Sequence, residues 1–126
     1  MNVLLDTHIL LWWLADDRRL KKPARDILAD ARTQVCVSVV SFWEIVIKTA
    51  SGRLAVNVQD VLGAVSNGGY SILPIHARHV LALTELPQHH DDPFDRMLVA
   101  QAAADSMRLL THDHRIAPYG SFVQQV

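Results

Sequence analysis

The chain has 126 residues, half of them apolar and a fifth charged, which suits one compact domain over residues 1–126 with its own core. Net charge is −1 with neutral histidines, so no global basic field announces a nucleic-acid partner, and any such binding needs a local patch. The single cysteine excludes an intrachain disulfide, no apolar run approaches the ~20 residues needed to cross a bilayer, and no basic N-terminal region precedes a long apolar stretch, so a cytoplasmic protein away from membranes is expected.

Along the chain, Met1-Asn2-Val3-Leu4-Leu5 is an apolar run ending at an acid, as in a strand buried on both faces. "DTHILLWWLADD" then spaces its apolar residues for a helix. Lys22-Pro23-Ala24 places proline in a first helical turn, and the amphipathic segment behind it runs to about Arg32. "QVCVSVV" is rich in β-branched valine and reads as the second strand, with Cys36 a small buried hydrophobe within it. "SFWEIVIKTASGRL" reads as a helix opened by Ser41 and closed near Gly52. "VNVQDVLGAVSNGGY" gives a short helix stopped by Asn67-Gly68-Gly69, followed by the strand "YSILPI" and a helix across "HARHVLALTEL". "DPFDRMLVAQAAAD" has the best helix start in the chain, "MRLLT" is the next strand, and "SFVQQV" a last edge strand. Short strands alternating with helices predict an α/β domain with a mostly parallel sheet, which gathers functional groups at the carboxyl ends of its strands.

Four acids fall at those ends. Asp6 follows the first strand, Glu44 lies in the first turn of the helix after the second, Asp95 opens the helix before "MRLLT", and Asp113 follows that strand. Each also has a structural explanation. Asp6 suits a helix cap, Ser41 and Glu44 form a capping box, and Glu44 with Lys48 an (i, i+4) pair. Asp92 suits an N-cap before Pro93, with Asp95 as a first-turn acid. Together, however, four carboxylates on one edge repel one another unless a cation sits among them. Oxygen ligands suit hard ions such as Mg²⁺ and Mn²⁺, and the implied chemistry is metal-assisted phosphodiester hydrolysis.

"LLDTHILLWWL", the acid in "SFWEIVIK", "HHDDPFDRMLVAQA" and "LLTHDHRI" resemble the PIN-domain ribonucleases, specifically the VapC-type toxins of bacterial toxin-antitoxin pairs, from Asn2 to about Tyr119. The resemblance implies a three-layer α/β/α sandwich with parallel strand order 3-2-1-4-5. It implies that Asp6, Glu44, Asp95 and Asp113 hold Mg²⁺ or Mn²⁺, with hydroxyls of Thr7 and Thr111 in support and Asp92 behind Asp95. It further implies a homodimer that cleaves RNA by metal-activated water. A cognate VapB-type antitoxin blocks the cleft and provides the only, indirect, link to DNA. His114, Arg115 and Ile116 stand where many relatives carry another acid, which leaves one ion or two open. The alternative within the same fold is a PIN-like interaction module without cleavage. A receiver-like phosphoacceptor fits poorly, because Asp6 is followed by Thr7 and no lysine occurs after Lys48.

Adjacent histidines seldom share one ion, and the spacing here does not suit a zinc site. His89, His90, His112 and His114 are expected at the solvated rim, with substrate contact or proton transfer as the alternative, and His8 is ambiguous. Arg18, Arg19, Lys21, Lys22 and Arg25 form the one basic cluster, either a solvated connection or a phosphate-tracking patch from which Arg18, Arg19 and Lys22 would contact RNA. Arg96 is placed to reach a substrate phosphate or to pair with Asp92. Trp12, Trp13 and Trp43 follow helical apolar spacing and are expected in core or partner packing, an exposed Trp13 or Trp43 suiting an antitoxin groove by resemblance.

Overall fold

A computed structural model describes residues 1–126. The elements in chain order are β1 (Asn2–Leu5), α1 (Thr7–Leu14), α2 (Lys22–Ala29), β2 (Gln34–Ser38), α3 (Val39–Ala50), α4 (Val58–Asn67), β3 (Ser71–Leu73), α5 (Ala77–Leu83), α6 (Pro93–Ala104), β4 (Arg108–Thr111), a 3₁₀ turn (Ala117–Tyr119) and β5 (Val123–Gln125). The five strands form one parallel sheet in the order β3-β2-β1-β4-β5. No helix is long and apolar enough to cross a membrane.

The period-2 geometry of strands splits the core into two layers. Val3 and Leu5, Val35 and Val37, and Leu110 face one side, where they pack with Ile9 and Leu10 of α1, Ile45 of α3, and Val61 and Val65 of α4. Leu4, Cys36 and Leu109 face the other, against Leu98, Val99 and Ala102 of α6 and Ile116. Both faces of β1 are therefore covered, which is why its sequence is apolar without alternation. The result is the three-layer sandwich and strand order that the resemblance implied. The chain reverses direction across the sheet between β1 and β4, so their carboxyl ends flank the crevice where open α/β sheets bind ligands.

Several boundaries differ from the sequence reading, strand β3 covering only Ser71–Leu73 of "YSILPI" and helix α5 only Ala77–Leu83 of "HARHVLALTEL". Helix α2 stops at Ala29 rather than near Arg32, because Asp30 turns extended and its carboxylate takes the Arg32 backbone N–H and guanidinium. Strand β2 ends at Ser38, short of Val40. Helix α3 starts at Val39 with Ser38 as N-cap, its hydroxyl accepting from Val40 N–H at 3.0 Å. Ser41 is thus inside the helix, no Ser41–Glu44 capping box exists, and Glu44 sits in the second turn. The early start turns Glu44 inward, where it is buried, rather than leaving it at a helix tip.

Candidate metal centre

A cleft of about 580 Å³ opens at the carboxyl ends of β1 and β4, and Trp12 is its one apolar wall. Asp6, Glu44, Asp92, Asp95 and Asp113 all line it, so the four acids separated by more than a hundred residues of chain do converge.

Each acid is delivered differently. Asp6 follows β1 and caps α1, its Oδ1 accepting from His8 N–H at 2.8 Å and its Oδ2 from the Thr111 hydroxyl at 2.6 Å. Cap and cleft residue are therefore one and the same group. Glu44 projects from α3, where the Thr7 hydroxyl donates to its Oε1 at 2.6 Å and Lys48, one turn on, pairs with its Oε2. Asp92 caps α6, accepting from Asp95 N–H at 3.0 Å, and Pro93 fills the first helical position. That capped start aims Asp95 into the cleft. Asp113 follows β4, its backbone N–H donating to the Thr111 hydroxyl at 3.0 Å, and its carboxylate is gripped by the Arg115 guanidinium. Thr7 and Thr111 thus stand beside Glu44 and Asp6 as hydrogen-bond donors to their carboxylates.

The electrostatics separate the acids into two kinds. Arg115 holds the Asp113 carboxyl down at about 2. Burial pushes Asp6 above the ordinary carboxyl range, against the pull of the Thr111 and His8 hydrogen bonds, with Glu44 adding to the rise. Asp95 rises to about 7, first through burial and then through the charges of Asp6 and Asp92, with a hydrogen bond from His90 opposing. Burial works against the Lys48 ammonium, but its bond to Glu44 and the fields of Asp92 and Asp95 raise it overall. A carboxyl driven up first by desolvation and then by its like-charged neighbours marks a site short of positive charge.

His90 is a correction. Its ring is buried rather than at the solvated rim, with Nε2 2.8 Å from Asp95 Oδ2. His90, Asp95 and Asp113 each offer one ligand atom, and these three lie within 4.8 Å of one another. Asp6 and Glu44 lie outside that trio and share the cleft with its two acids, Asp95 and Asp113, while His90 stands behind Asp95. The oxygen-rich donor set fits a hard or borderline divalent ion. His89 is exposed, edge-on to Tyr119, while His8, His112 and His114 are exposed and do line the cleft, as a rim would.

The basic residues fare less well. Arg96 neither lines the cleft nor pairs with Asp92, because its guanidinium donates to Pro87 O and to the Tyr119 hydroxyl, both at 2.9 Å. Arg25 is spent on Asp16, Leu20 O and Asp17 O, and Lys22 pairs with Asp26 on the outer face of α2. Arg19 pairs with Asp17 and lies 5.0 Å over the Trp12 ring, at the edge of the cleft, while Arg18 is exposed. The cations that do face the cleft, Lys48 and Arg115, are ones sequence reading passed over. Lys48 had a signal in its spacing from Glu44, but that spacing equally describes a solvated pair. Among the tryptophans, Trp12 is buried, Trp13 is half-buried with Nε1 donating to the Tyr70 hydroxyl at 2.7 Å, and Trp43 is 54% exposed against Phe94.

Comparison with known proteins agrees with this fold. Ribonuclease VapC22 from Mycobacterium tuberculosis (strain ATCC 25618 / H37Rv) is 29% identical over 121 residues, spanning 91% of this chain and 89% of that protein. The structure of VapBC2 from Rickettsia felis, bound to a DNA fragment from their promoter, superposes with a TM-score of 0.71 at 12% identity, over 99% of this chain and 98% of that one. VapBC-1 from nontypeable Haemophilus influenzae gives 0.66 at 19% identity, over 99% and 98%. At such identities these two speak for the fold. The family profile described as PIN domain matches residues 3–120, nearly the whole length, and the chain belongs to that family.

Proposed function

We propose that this protein is a metal-dependent endoribonuclease, one PIN domain over residues 1–126, acting in the cytoplasm as the toxin of a toxin-antitoxin pair. The observation that carries the reading is the convergence of Asp6 and Glu44, both buried, with the half-buried Asp95 and Asp113 on one cleft, in which Asp95 is raised to about 7 by desolvation and by acids that the local cations leave uncancelled. A similar protein named as a ribonuclease, and a fold shared with proteins solved as VapBC pairs, support the choice of RNA and of a VapB-type antitoxin.

Asp6, Asp95 and Asp113, with Glu44 behind them, would hold Mg²⁺ or Mn²⁺, one ion or two. When bound, the metal supplies a water of lowered pKa and neutralises charge on the phosphodiester. The chain's own part is to fix the ligands. The Thr111 hydroxyl and His8 N–H orient both oxygens of Asp6, Thr7 orients Glu44, and Asp92 with the α6 N-terminus orients Asp95. Lys48 and Arg115 put positive charge where an anionic backbone would enter, and Arg19, at the Trp12 edge, extends it, with Arg18 and Lys22 farther out. Trp43, Val46 and Ile47 leave an exposed apolar stripe on α3, suited to the antitoxin, through which alone DNA would be reached. A second copy of the chain completes a homodimer.

Purified protein is expected to cleave RNA with Mg²⁺ or Mn²⁺ and not with chelator present. Asp6→Asn is expected to cost more than the ~100-fold that outer-shell partners of a metal command, with its melting transition intact. Undiminished cleavage by folded Asp6→Asn protein would refute the assignment.

A further inference from the structure

His90 has no place in the four-acid scheme, yet the structure spends several side chains on placing it. Its ring is 8% exposed on the connection before α6. Arg96 ties that connection down by donating to Pro87 O, and it also donates to the Tyr119 hydroxyl, which lies 3.4 Å from His90 O. Gln88 reaches both His90 O and Asp91 Oδ1, at 3.4 and 3.1 Å. A solvated rim histidine would need none of this.

The imidazole nitrogen is placed like a ligand atom. Donors in an octahedral shell of radius about 2.1 Å lie about 3 Å apart as neighbours and about 4 Å apart when opposite. His90 Nε2 is 2.8 Å from Asp95 Oδ2, and with an Asp113 oxygen the three stay within 4.8 Å. The trio therefore matches part of such a shell with little movement. Arg115 grips Asp113 and Lys48 grips Glu44, so the two local cations act on other acids and leave the His90–Asp95 contact as the uncommitted corner.

We infer that His90 is itself a ligand of the metal centre, and that its nitrogen biases the site towards a first-row divalent ion such as Mn²⁺ over Mg²⁺. Mg²⁺ favours an all-oxygen shell and keeps its waters, whereas imidazole adds affinity for first-row ions. The inference rests on the metal-centre reading above and refines which ion the centre takes.

Pulsed electron paramagnetic resonance of the Mn²⁺-loaded protein tests it without an activity assay. A ¹⁴N modulation is expected in the wild type, lost in His90→Gln and retained in His114→Gln, a histidine that lines the cleft. Calorimetry should show His90→Gln weakening Mn²⁺ by about tenfold or more and Mg²⁺ by less than about threefold. Mn²⁺ bound without a nitrogen signal overturns the inference while the metal centre stands. So does equal weakening of both ions, which would make His90 only an orienter of Asp95. No Mn²⁺ binding at all would take the metal-centre reading down with it. Because the wild-type measurement needs no substitution, absence of the signal there overturns the inference even if His90→Gln fails to fold.

Discussion

Helix α6 carries a histidine–aspartate pair at each end, and the two pairs behave oppositely. At the N-terminus His90 Nε2 is 2.8 Å from Asp95 Oδ2, and at the C-terminus His79 Nε2 is 3.0 Å from Asp105 Oδ2. Asp95 is pushed up to about 7, whereas Asp105 is held down at about 2. The helix macrodipole predicts the reverse order, since it favours an anion at the N-terminus. It is worth only about 0.3–1 kcal/mol at ordinary exposure, less than one pKa unit. Neighbours decide instead. Asp105 is forked by Arg78 through two bonds of 2.9 and 3.1 Å and receives the His79 ring, whose Nδ1 accepts from His76 N–H, leaving the proton on Nε2. Asp95 is buried among Asp6, Asp92 and Glu44. One end of the helix is closed, with its charge balanced by the chain, and the other is open, carrying acids that the chain leaves unbalanced, where the proposed cation would sit.

The sharpest way to break this contrast is to neutralise each acid. Asp95→Asn is expected to abolish detectable RNA cleavage and Mn²⁺ binding heat, while the metal-free melting temperature at pH 8 stays at or above wild type, because a repelling charge has gone. Asp105→Asn is expected to leave cleavage within about twofold and to cost about 1–3 kcal/mol of stability, since Arg78 and the buried His79 lose the carboxylate charge and one of its two acceptor oxygens. Equal loss of cleavage in the two variants would mean that the ends are not functionally distinct.

Proton linkage gives a second, smaller contrast. Asp95 binds its proton more tightly folded than unfolded, so between about pH 4 and pH 7 the folded state holds more protons and metal-free stability falls as pH rises. Below pH 4 both states are protonated and the advantage of the low-pH form is complete. The metal-free protein is therefore expected to melt several degrees lower at pH 7.5 than at pH 5, a few kcal/mol at most. Mn²⁺ must displace that proton, so saturating Mn²⁺ is expected to reverse the trend. Asp105 works with the opposite sign. Its depressed pKa contributes stability above about pH 4 that is lost as pH falls towards 2. A metal-free melting temperature that rises steadily from pH 5 to pH 7.5 would contradict the raised Asp95.

Much of the open end was legible because its chemistry is written in local signals. Asp6 at the end of an apolar run and Asp92-Pro93 ahead of an alanine-rich helix fix their positions by short-range rules, and the strand pattern carries them to one edge. What failed depended on contacts across the chain. Val39 and Val40 are β-branched and prolong the look of β2, so Ser38 and Ser41 could not be told apart as caps. The choice was settled by burial of Val40 under the sheet and by Thr7 meeting Glu44, 37 residues away. His90 was misplaced because it reaches Asp95, five positions on, across a helix start with no periodic signature, held there by Tyr119 from another element. Arg96 looked like a phosphate contact by adjacency to Asp95, although neighbours on a helix point about 100° apart.

The smallest effect asked for separates support of a ligand from support of the fold. Thr111 donates to Asp6 Oδ2 at 2.6 Å and accepts from Asp113 N–H, while Ser38 donates to Gln101 Oε1 at 2.6 Å and caps α3. Both hydroxyls are buried, and losing either is expected to cost about 1–2 kcal/mol. Their consequences for metal differ. In Thr111→Val, Asp6 loses the donor that fixes one oxygen, so Mn²⁺ affinity is expected to fall by about tenfold and to recover in Thr111→Ser. In Ser38→Ala the disturbed group is Gln101, whose amide donates to Pro74 O beside the His79 end of α6, and Mn²⁺ affinity should stay within about twofold. Equal thermal loss with unequal metal loss assigns Thr111 to positioning. Equal loss of both would mean that metal affinity here tracks global stability, and the division of α6 into a closed and an open end would lose its energetic meaning.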